Sequence, residues 1–378
     1  MELDDIRKEL DGVDEEMRAL FFKRMELSAD VAEYKNTHSL PILNKERERE
    51  ILAKMTMDAG DNSLYIHRFF STLFELSRAR QASLISSPSK VGAYVKESLA
   101  RGGEVFPRTG TVACQGVEGA NSQEACDKLL PRGNIIYVKT FSAVFDAVES
   151  GLCDYGVLPI ENSYNGSVRA VYDLLQRRGF SIVRMTRLLI RHELLVKPGT
   201  KLSDIKTVYS HEQALGQCGK YLSTLGGVKA VPCDNTAMAA KAVSDSPDRT
   251  AAAISSHPCA ELYGLEVAAE DIQDSENNYT RFIMVTKKPC IYAGANKISL
   301  ILSCKNKPGA LYDMLSMPAA LGINMSKLES CPVTGRDFEF QFFIELDASV
   351  LEEGVLPMLE EMERECGGFI FLGCYAEV

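Results

Sequence analysis

The stretch TVACQGVEGANSQEACDKLLPRGNIIYV (residues 111–138) contains an apolar strand, a polar turn with glycines, a helix and a second apolar strand. The same alternation continues to about residue 287, with further strand candidates at 154–160 (DYGVLPI) and 281–286 (RFIMVT). Because helices that join successive strands favour parallel pairing, we predict a mostly parallel α/β region. Ligands of such sheets bind at the carboxyl ends of the strands.

Three loops of this middle segment are unusually polar: GVEGANS (116–122), IENSYNGS (160–167) and SENNYTRF (275–282). In the first loop, Ser122 is predicted to cap the helix that follows and to offer an anion site. Each loop taken alone is equally well explained as a solvated turn. If the three loops converge on one cleft, they indicate a binding site.

Residues 1–90 differ from the rest of the chain, because they hold only two of the 27 glycines and none of the eleven cysteines. Apolar residues recur at steps of three and four, which predicts a first helix of about nine turns. A second helix is predicted to begin near Asn44, and a third helix to follow it. The apolar stripe of the first helix consists of Leu3, Ile6, Leu10, Val13, Met17, Leu20, Leu27, Val31 and Tyr34.

Polar side chains interrupt or approach the apolar stripes of these helices. They are Arg7, Arg24, Lys35, Asn44, Arg47, Glu48, Ser77 and Gln81. A charge at a core-facing position costs several kcal/mol unless it is paired. Two explanations stay open: an Arg24–Glu48 salt bridge between helices, or a polar pocket inside a helix bundle. The excess of cations over the one acid favours an anionic ligand.

The first helix is too long to bury its own stripe within a segment of about 85 residues. We therefore predict that a second copy of the chain covers the stripe, in a homodimer or a tetramer.

The last segment, from about residue 297, has the order strand, helix, strand, strand, helix, strand. This βαββαβ order is typical of the ferredoxin-like fold. The segment holds no obvious pair of a nucleophile and a base, so we interpret it as a binding or regulatory module.

Composition excludes several classes of protein. The chain carries 42 basic and 52 acidic residues, a net charge of −10, which argues against nucleic-acid binding. No run reaches the roughly 18 apolar residues of a membrane helix, and the charged amino terminus has no secretory signal. Eleven scattered cysteines favour a reducing, cytoplasmic location with no structural metal.

Read in order, nearly the whole chain resembles the bifunctional chorismate mutase–prephenate dehydratases. Five motifs of the middle segment resemble those of the prephenate dehydratase domain: ACQGVEGANSQEA (113–125), GVLPIENSYNGSV (156–168), YSHEQALGQC (209–218), AAAISSHPCAELYGL (251–265) and NNYTRF (277–282). The resemblance implies four parts of a multidomain chain. They are an all-α AroQ-type chorismate mutase domain (1–87), a linker (88–109), a two-lobed, periplasmic-binding-protein-like dehydratase domain (110–288) and an α+β, ferredoxin-like ACT regulatory domain (296–378).

In the mutase domain, the resemblance implies a pericyclic rearrangement of chorismate to prephenate without a cofactor or metal. The implied carboxylate ligands are Arg7, Arg24 and Arg47, with Arg7 reaching in from a partner chain. Lys35 and Gln81 would donate hydrogen bonds to the ether oxygen, where negative charge develops. Glu48 and Asn44 would bind the substrate hydroxyl, and Ser77 would support a carboxylate. Asn44 replaces the usual Asp and is equally well explained as a helix cap.

In the dehydratase domain, the resemblance implies loss of CO₂ and the ring hydroxyl from prephenate to give phenylpyruvate. Thr280 is the implied catalytic hydroxyl. The implied substrate contacts are Asn162, Ser210 and Gln217, with Ser122, Glu161 and Arg281 in support. His211 is interpreted as a helix cap or core histidine in preference to a general acid, and Asn121 stands where the family often has an aromatic residue.

The carboxyl-terminal stretches PGAL (308–311) and INMSKLESCP (323–332) resemble the phenylalanine-binding motifs of ACT domains. The implied effector is L-phenylalanine, bound by Gly309, Ala310, Leu311, Asn324, Glu329 and Ser330. Tyr312 and Cys331 depart from the family pattern.

Two other functions are compatible with the sequence. One is a monofunctional prephenate dehydratase with a decayed mutase module, which the Asn44 change would mark. The other is a non-catalytic sensor of small molecules, which would have no need of donors for an ether oxygen.

Overall fold

The computed structural model describes residues 2–85, 89–103, 105–304, 309–332, 340–366 and 368–378. By its internal contacts the chain divides into two compact units. The first unit combines Met1–Ala93 with Leu311–Leu321 and Leu351–Gly367, and it is helical. The second unit comprises Tyr94–Ala310, Gly322–Val350 and Gly368–Val378, and it contains every strand of the described residues.

The α-helices are α1 (Leu3–Thr37), α2 (Lys45–Thr56), α3 (Ser63–Leu84), α4 (Lys90–Gly102), α5 (Asn121–Leu129), α6 (Phe141–Glu149), α7 (Arg169–Arg178), α8 (Glu212–Gln217), α9 (Gly219–Thr224), α10 (Thr236–Asp245), α11 (His257–Tyr263), α12 (Ala310–Ala320) and α13 (Val355–Glu365). The strands are β1 (Thr109–Gln115), β2 (Arg132–Val138), β3 (Tyr155–Asn162), β4 (Gly166–Ser167), β5 (Ser181–Leu189), β6 (Glu193–Val196), β7 (Thr207–His211), β8 (Lys229–Cys233), β9 (Ala251–Ser255), β10 (Glu266–Ala269), β11 (Tyr279–Thr286), β12 (Lys297–Ser303), β13 (Asn324–Pro332), β14 (Phe340–Asp347) and β15 (Phe369–Glu377).

Helix α1 has 35 residues and so a length of about 52 Å. It packs on α3, but only Ser28 and Ala32 of α1 are buried. The nine apolar residues of its predicted stripe are each between 41% and 67% exposed. The expected helix is therefore present, and its apolar stripe is uncovered within one chain.

One local cap and one contact between distant segments place other helices of the first unit. Asn44 caps α2, because its side chain accepts a hydrogen bond from the Arg47 backbone N–H at 3.1 Å. Helix α13 packs against α3, and its Glu363 carboxylate accepts hydrogen bonds from the Ser89 hydroxyl at 3.0 Å and the Val91 N–H at 3.2 Å.

The larger sheet of the second unit has ten strands in the order β13-β14-β12-β15-β5-β11-β3-β1-β2, with β4 paired to β3. The smaller sheet has the order β10-β6-β9-β7-β8. Both sheets are mixed: β1 pairs parallel with β2 and β3, and β7 with β8 and β9, whereas β11 and β6 are antiparallel to their neighbours. The prediction of mostly parallel sheets is therefore correct only for these two groups of strands.

Strand β5 was not predicted, although it lies in the middle of the larger sheet. Its sequence SIVRMTRLL contains Arg184 and Arg187, and these two charged residues interrupt the run of apolar residues that is typical of a buried strand. Strand β15 pairs with β5, so the βαββαβ strands continue the larger sheet. At this junction Gly373 has a φ of +148°, and a Cβ there would lie 2.2 Å from the Ile182 carbonyl oxygen. The close approach of β15 to β5 therefore requires glycine.

The turn before α5 differs from the prediction. Helix α5 begins at Asn121 with Ala120 as its N-cap, so Ser122 lies inside the helix and does not cap it. The Gln123 side chain accepts a hydrogen bond from the Gly119 N–H at 2.7 Å, and this contact closes the turn in place of a serine cap.

Candidate functional site

Helices α1 and α3 bring two cations and two polar residues together in the first unit. Arg24 Nη1 donates to the Ser77 hydroxyl and to the Leu73 carbonyl oxygen, the latter at 3.0 Å. Lys35 Nζ donates to Gln81 Oε1 at 3.0 Å and to the Ile42 carbonyl oxygen. Ser77 and Gln81 are four residues apart, so they share one face of α3, and both are buried.

The contact with Lys35 orients the Gln81 amide. Because an ammonium group only donates, the Gln81 oxygen faces Lys35 and the amide nitrogen points elsewhere. This nitrogen has no partner among the residues that the structure describes, and neither do the remaining N–H groups of Arg24. The cluster therefore holds donors that are available to a ligand.

Glu48 is the only predicted acid of this cluster, and it pairs with Arg78 at 2.6 Å. The alternative Arg24–Glu48 salt bridge is therefore not formed. Arg24, Lys35 and Arg78 are three cations beside one carboxylate, which leaves a net charge of two positive units among these four groups. Burial lowers the pKa values of Arg24 and Lys35, against an opposing effect of Glu48 on both. Such a desolvated, cation-rich cluster suits an anion with two charges.

Arg7, Arg47 and Asn44 are not part of this cluster within one chain. Arg7 pairs with Asp4 at 3.3 Å and Arg47 with Glu50 at 3.1 Å, and both arginine side chains are 66% exposed. Asn44 is the cap of α2, in agreement with its structural interpretation. Arg78, which sequence analysis missed, takes the position beside Glu48.

A second polar group lies where β3 ends and β11 begins. Asn162 and Thr280 are opposite each other in the antiparallel register of these strands. Asn162 Nδ2 donates to Thr280 Oγ1 at 2.9 Å and to Asn278 Oδ1 at 2.9 Å. Asn162 Oδ1 accepts from the backbone N–H groups of Tyr164 and Asn165 at 3.0 and 2.9 Å. Two of the polar loops, 160–167 and 275–282, therefore converge.

Gln217, from the smaller-sheet region, joins the same group of side chains. Its Oε1 atom contacts Asn278 Nδ2 and His192 Nε2, each at 2.9 Å. His192, Gln217 and Asn278 are all less than 8% exposed, and burial lowers the pKa of His192. Sequence analysis missed His192, which carries no motif signal, and Asn278, although it lies in a loop singled out for its polarity.

Ser210 and His211 lie at the carboxyl end of β7. The buried Ser210 hydroxyl donates to the Ile254 carbonyl oxygen at 2.7 Å, and His211 caps α8 by accepting from the Gln213 N–H at 3.3 Å. The capping interpretation of His211 is therefore confirmed. Ser122 is buried on α5. No contact of Ser210 or Ser122 with Asn162, Gln217 or Thr280 is present.

Glu161 and Arg281 are separated from Asn162 and Thr280, because successive side chains of a strand point to opposite faces. Arg281 is paired with Glu161 at 2.9 Å and with the buried Glu345 of β14 at 2.6 Å. Glu161 also contacts Lys327 of β13 at 3.1 Å. These acids raise the pKa of Arg281 despite its burial, and the two cations lower the pKa of Glu161. The structure thus places Glu161 and Arg281 in an ion-pair cluster and not beside Thr280.

The residues predicted to bind the effector L-phenylalanine differ in their contacts and in their exposure. Asn324 donates to Asp347 at 2.6 Å, and Glu329 contacts Lys327 at 3.3 Å and accepts from the Ser167 hydroxyl. Ser330 is exposed, and Cys331 is buried. Gly309 precedes α12, which contains Ala310 and Leu311. Pro308 of the PGAL motif lies outside the described residues.

Within the described ranges no group of three or more histidine, cysteine, aspartate or glutamate side chains is arranged to hold a metal ion. None of the helices in the described part of the chain combines the length and apolar character needed to cross a membrane. All eleven cysteines are in the reduced form.

Comparison with known proteins gives two family matches. The family model of chorismate mutase type II matches residues 6–82, and that of prephenate dehydratase matches residues 112–290. The first match contains the Arg24–Lys35 cluster, and the second contains Asn162, Gln217 and Thr280.

Individual relatives cover different shares of the chain. The bifunctional chorismate mutase/prephenate dehydratase of Enterobacter agglomerans is 30% identical over 379 residues, which covers 98% of this chain and 95% of the relative. The chloroplastic arogenate dehydratase/prephenate dehydratase 2 of Arabidopsis thaliana is 37% identical over 291 residues, 74% of each chain. The crystal structure of Arthrobacter aurescens prephenate dehydratase in complex with L-Phe has a TM-score of 0.65 and 30% identity, and the match covers 70% of this chain and 90% of that one.

Both family models match in the order mutase then dehydratase, and the bifunctional relative aligns over almost its whole length. The chain therefore belongs to the family of bifunctional chorismate mutase/prephenate dehydratases.

Proposed function

We propose that the chain catalyses two successive steps at separate sites: chorismate to prephenate in the helical unit, and prephenate to phenylpyruvate beside Thr280. The observation that carries the first assignment is the pair of half-buried cations, Arg24 and Lys35, neither of which forms an ion pair with an acid of the described residues. Chorismate is a dianion, so it supplies the two negative charges that this cluster lacks.

In the mutase step an ether C–O bond breaks while a C–C bond forms, and no nucleophile is needed. The protein must hold the compact conformer of the substrate and stabilise charge on the ether oxygen. Arg24, supported by Ser77, binds a carboxylate. Lys35 and the free Gln81 amide nitrogen donate to the ether oxygen, and Glu48 binds the hydroxyl. Because all these donors are held in place before the reaction, little reorganisation is needed during it.

The exposed apolar stripe of α1 supports an AroQ-type homodimer. Residues such as Leu10, Met17 and Leu20 are 56%, 46% and 67% exposed in a single chain, too much contiguous apolar surface for a stable free helix. A second copy that covers this stripe brings its Arg7 and Arg47 within the helical bundle. We propose that these two exposed arginines, with Asn44, complete the site at that interface.

In the dehydratase step prephenate loses CO₂ and its ring hydroxyl, and the ring becomes aromatic. The electron pair of the broken C–CO₂ bond makes the ring aromatic, and the hydroxyl leaves with its own bonding pair as hydroxide, which takes a proton from water. An unperturbed threonine is a poor acid, so Thr280 stabilises the leaving oxygen as a hydrogen-bond donor. Gln217 binds the substrate through its amide nitrogen, and Asn162 holds Thr280 in place. Ser210 and Ser122 are proposed as further substrate contacts from the resemblance. Glu161 and Arg281 support the strands from the opposite face and do not bind prephenate directly.

Regulation by L-phenylalanine at an ACT domain rests on the ferredoxin-like strand order and on the relative solved with L-Phe. The proposed effector residues are Gly309, Ala310, Leu311, Asn324, Glu329 and Ser330. Glu329 contacts Lys327, which contacts Glu161, the neighbour of Asn162. This chain of ion pairs is a physical route from the effector residues to the dehydratase strands.

The test is to incubate the purified protein with chorismate and to follow prephenate and phenylpyruvate over time, with and without L-phenylalanine. The bifunctional enzyme forms both products in sequence, and L-phenylalanine slows the second. Phenylpyruvate formed only from added prephenate would indicate a decayed mutase, and neither product would indicate a sensor.

A further inference from the structure

The side-chain amides behind Thr280 can be oriented in only one way, and the backbone imposes this orientation. The N–H groups of Tyr164 and Asn165 donate to one end of the Asn162 amide, at 3.0 and 2.9 Å. That end must be the oxygen, because only the oxygen accepts. The Asn162 nitrogen therefore faces Thr280 and Asn278.

The orientation of Asn162 fixes those of the neighbouring side chains Asn278, Gln217 and His192. Because Asn162 presents a nitrogen at 2.9 Å, Asn278 must meet it with its oxygen, and the Asn278 nitrogen then lies 2.9 Å from Gln217. Gln217 must accept that hydrogen bond with its oxygen. The same oxygen lies 2.9 Å from His192 Nε2, so this ring nitrogen carries hydrogen.

We propose that Asn278 is a positioning residue of the dehydratase, which holds the Thr280 hydroxyl and the Gln217 amide nitrogen as donors to prephenate. This inference rests on the proposed function of the Thr280 site. Thr280 Oγ1 accepts a hydrogen bond from Asn162, which leaves the hydroxyl hydrogen for the departing oxygen of the substrate. The Gln217 oxygen is doubly engaged, so its nitrogen is left to bind a substrate carboxylate.

The location of Asn278 explains why one residue controls both donors. Asn162 and Thr280 belong to the larger sheet, whereas His192 and Gln217 flank strands of the smaller sheet. Asn278 is 3% exposed and bonds to both groups, so its amide joins the two regions at the site. Burial lowers the pKa of His192, which favours the neutral ring, and the contact with the Gln217 oxygen places the ring hydrogen on Nε2.

The experiment compares Asn278→Ala with Asn277→Ala in the full-length protein. Asn277 is the same residue type one position earlier, but its side chain is exposed and lies outside this hydrogen-bonded group. Asn278→Ala removes the hydrogen bonds to Asn162 and to Gln217. We expect it to lower the dehydratase kcat about tenfold to a hundredfold, the effect of leaving buried polar groups without a partner in a polar network. Mutase activity in the same sample, unchanged in both variants, reports that the helical unit is folded, and an unchanged thermal unfolding midpoint reports the same for the second unit.

A second variant, Asn278→Asp, tests the role through the pH dependence of the dehydratase kcat. This pH dependence would not change if Asn278 had a purely structural role. An ionised carboxylate accepts from Asn162 but cannot donate to Gln217, whereas the protonated acid can do both. We expect the dehydratase kcat of Asn278→Asp to rise as pH falls through the pKa of the new carboxyl group. Asn277→Asp should follow the wild-type pH profile.

The possible outcomes distinguish the role of Asn278 from the proposed dehydratase function on which that role rests. Wild-type protein without dehydratase turnover contradicts the proposed function itself. An active wild type, with Asn278→Ala within twofold of it, contradicts only the role of Asn278. If Asn278→Ala also loses mutase activity, the Asp variant decides: a pH profile identical to that of the wild type overturns the inference.

Discussion

Replacing Lys35 with alanine tests the charge argument for the mutase site. The substitution removes the ammonium group that contacts Gln81 Oε1 at 3.0 Å and the Ile42 carbonyl oxygen. Loss of one preorganised donor to a developing oxyanion typically costs a factor of about 10²–10³ in kcat. Gln81 is 7% exposed and also loses the group that orients it, so we expect a loss at the upper end of this range.

The assay follows chorismate consumption and, on separately added prephenate, phenylpyruvate formation. Lys23→Ala is the matched control, because Lys23 lies on the same helix with an exposed side chain. We expect Lys35→Ala to lower the mutase kcat by a factor of about 10³ while dehydratase activity and helical content stay at the wild-type level. Equal loss of both activities, or a mutase kcat within threefold of wild type, would refute the assignment.

Four other predictions follow from the same contacts. Since burial lowers the pKa of Lys35, mutase turnover should fall on the alkaline side as Lys35 loses its proton, at a pH below that of an exposed lysine; a rate that stays flat there contradicts its role as a charged donor. Thr280→Val should remove dehydratase turnover and spare the mutase, and a folded variant with retained dehydratase activity would exclude Thr280 from the mechanism. Leu10→Lys should convert the oligomer to monomers in light scattering and lower mutase activity, whereas an unchanged mass would show that the α1 stripe is not the interface. Gly373→Ala should lower the free energy of unfolding by more than about 2 kcal/mol in a denaturant titration, because its Cβ would lie 2.2 Å from the Ile182 oxygen; wild-type stability would show that β15 can shift without cost.

Structural features that depend on residues close together in the sequence were predictable from the sequence. Steps of three and four in the apolar residues predicted helices α1 and α3. The helix-cap interpretation of Asn44, one of two left open by the sequence, is confirmed by its contact with the Arg47 N–H. The βαββαβ order of the last segment was also correct. Strand β5 was not predicted, because Arg184 and Arg187 break the apolar pattern and only tertiary contacts explain their positions. Arg184, for example, donates to the Leu129 carbonyl oxygen at 2.8 Å.

By itself, the sequence determined the helices, most strands and the residue types that carry the chemistry, since these follow from periodicity and local hydrogen bonding. Only the tertiary structure decided which groups meet. Glu48 pairs with Arg78 and not with Arg24, and Arg281 turns away from Thr280 to reach Glu345. The physical reason is that an ion pair or a hydrogen bond forms between atoms about 3 Å apart, and that distance depends on how distant segments pack rather than on their own sequence.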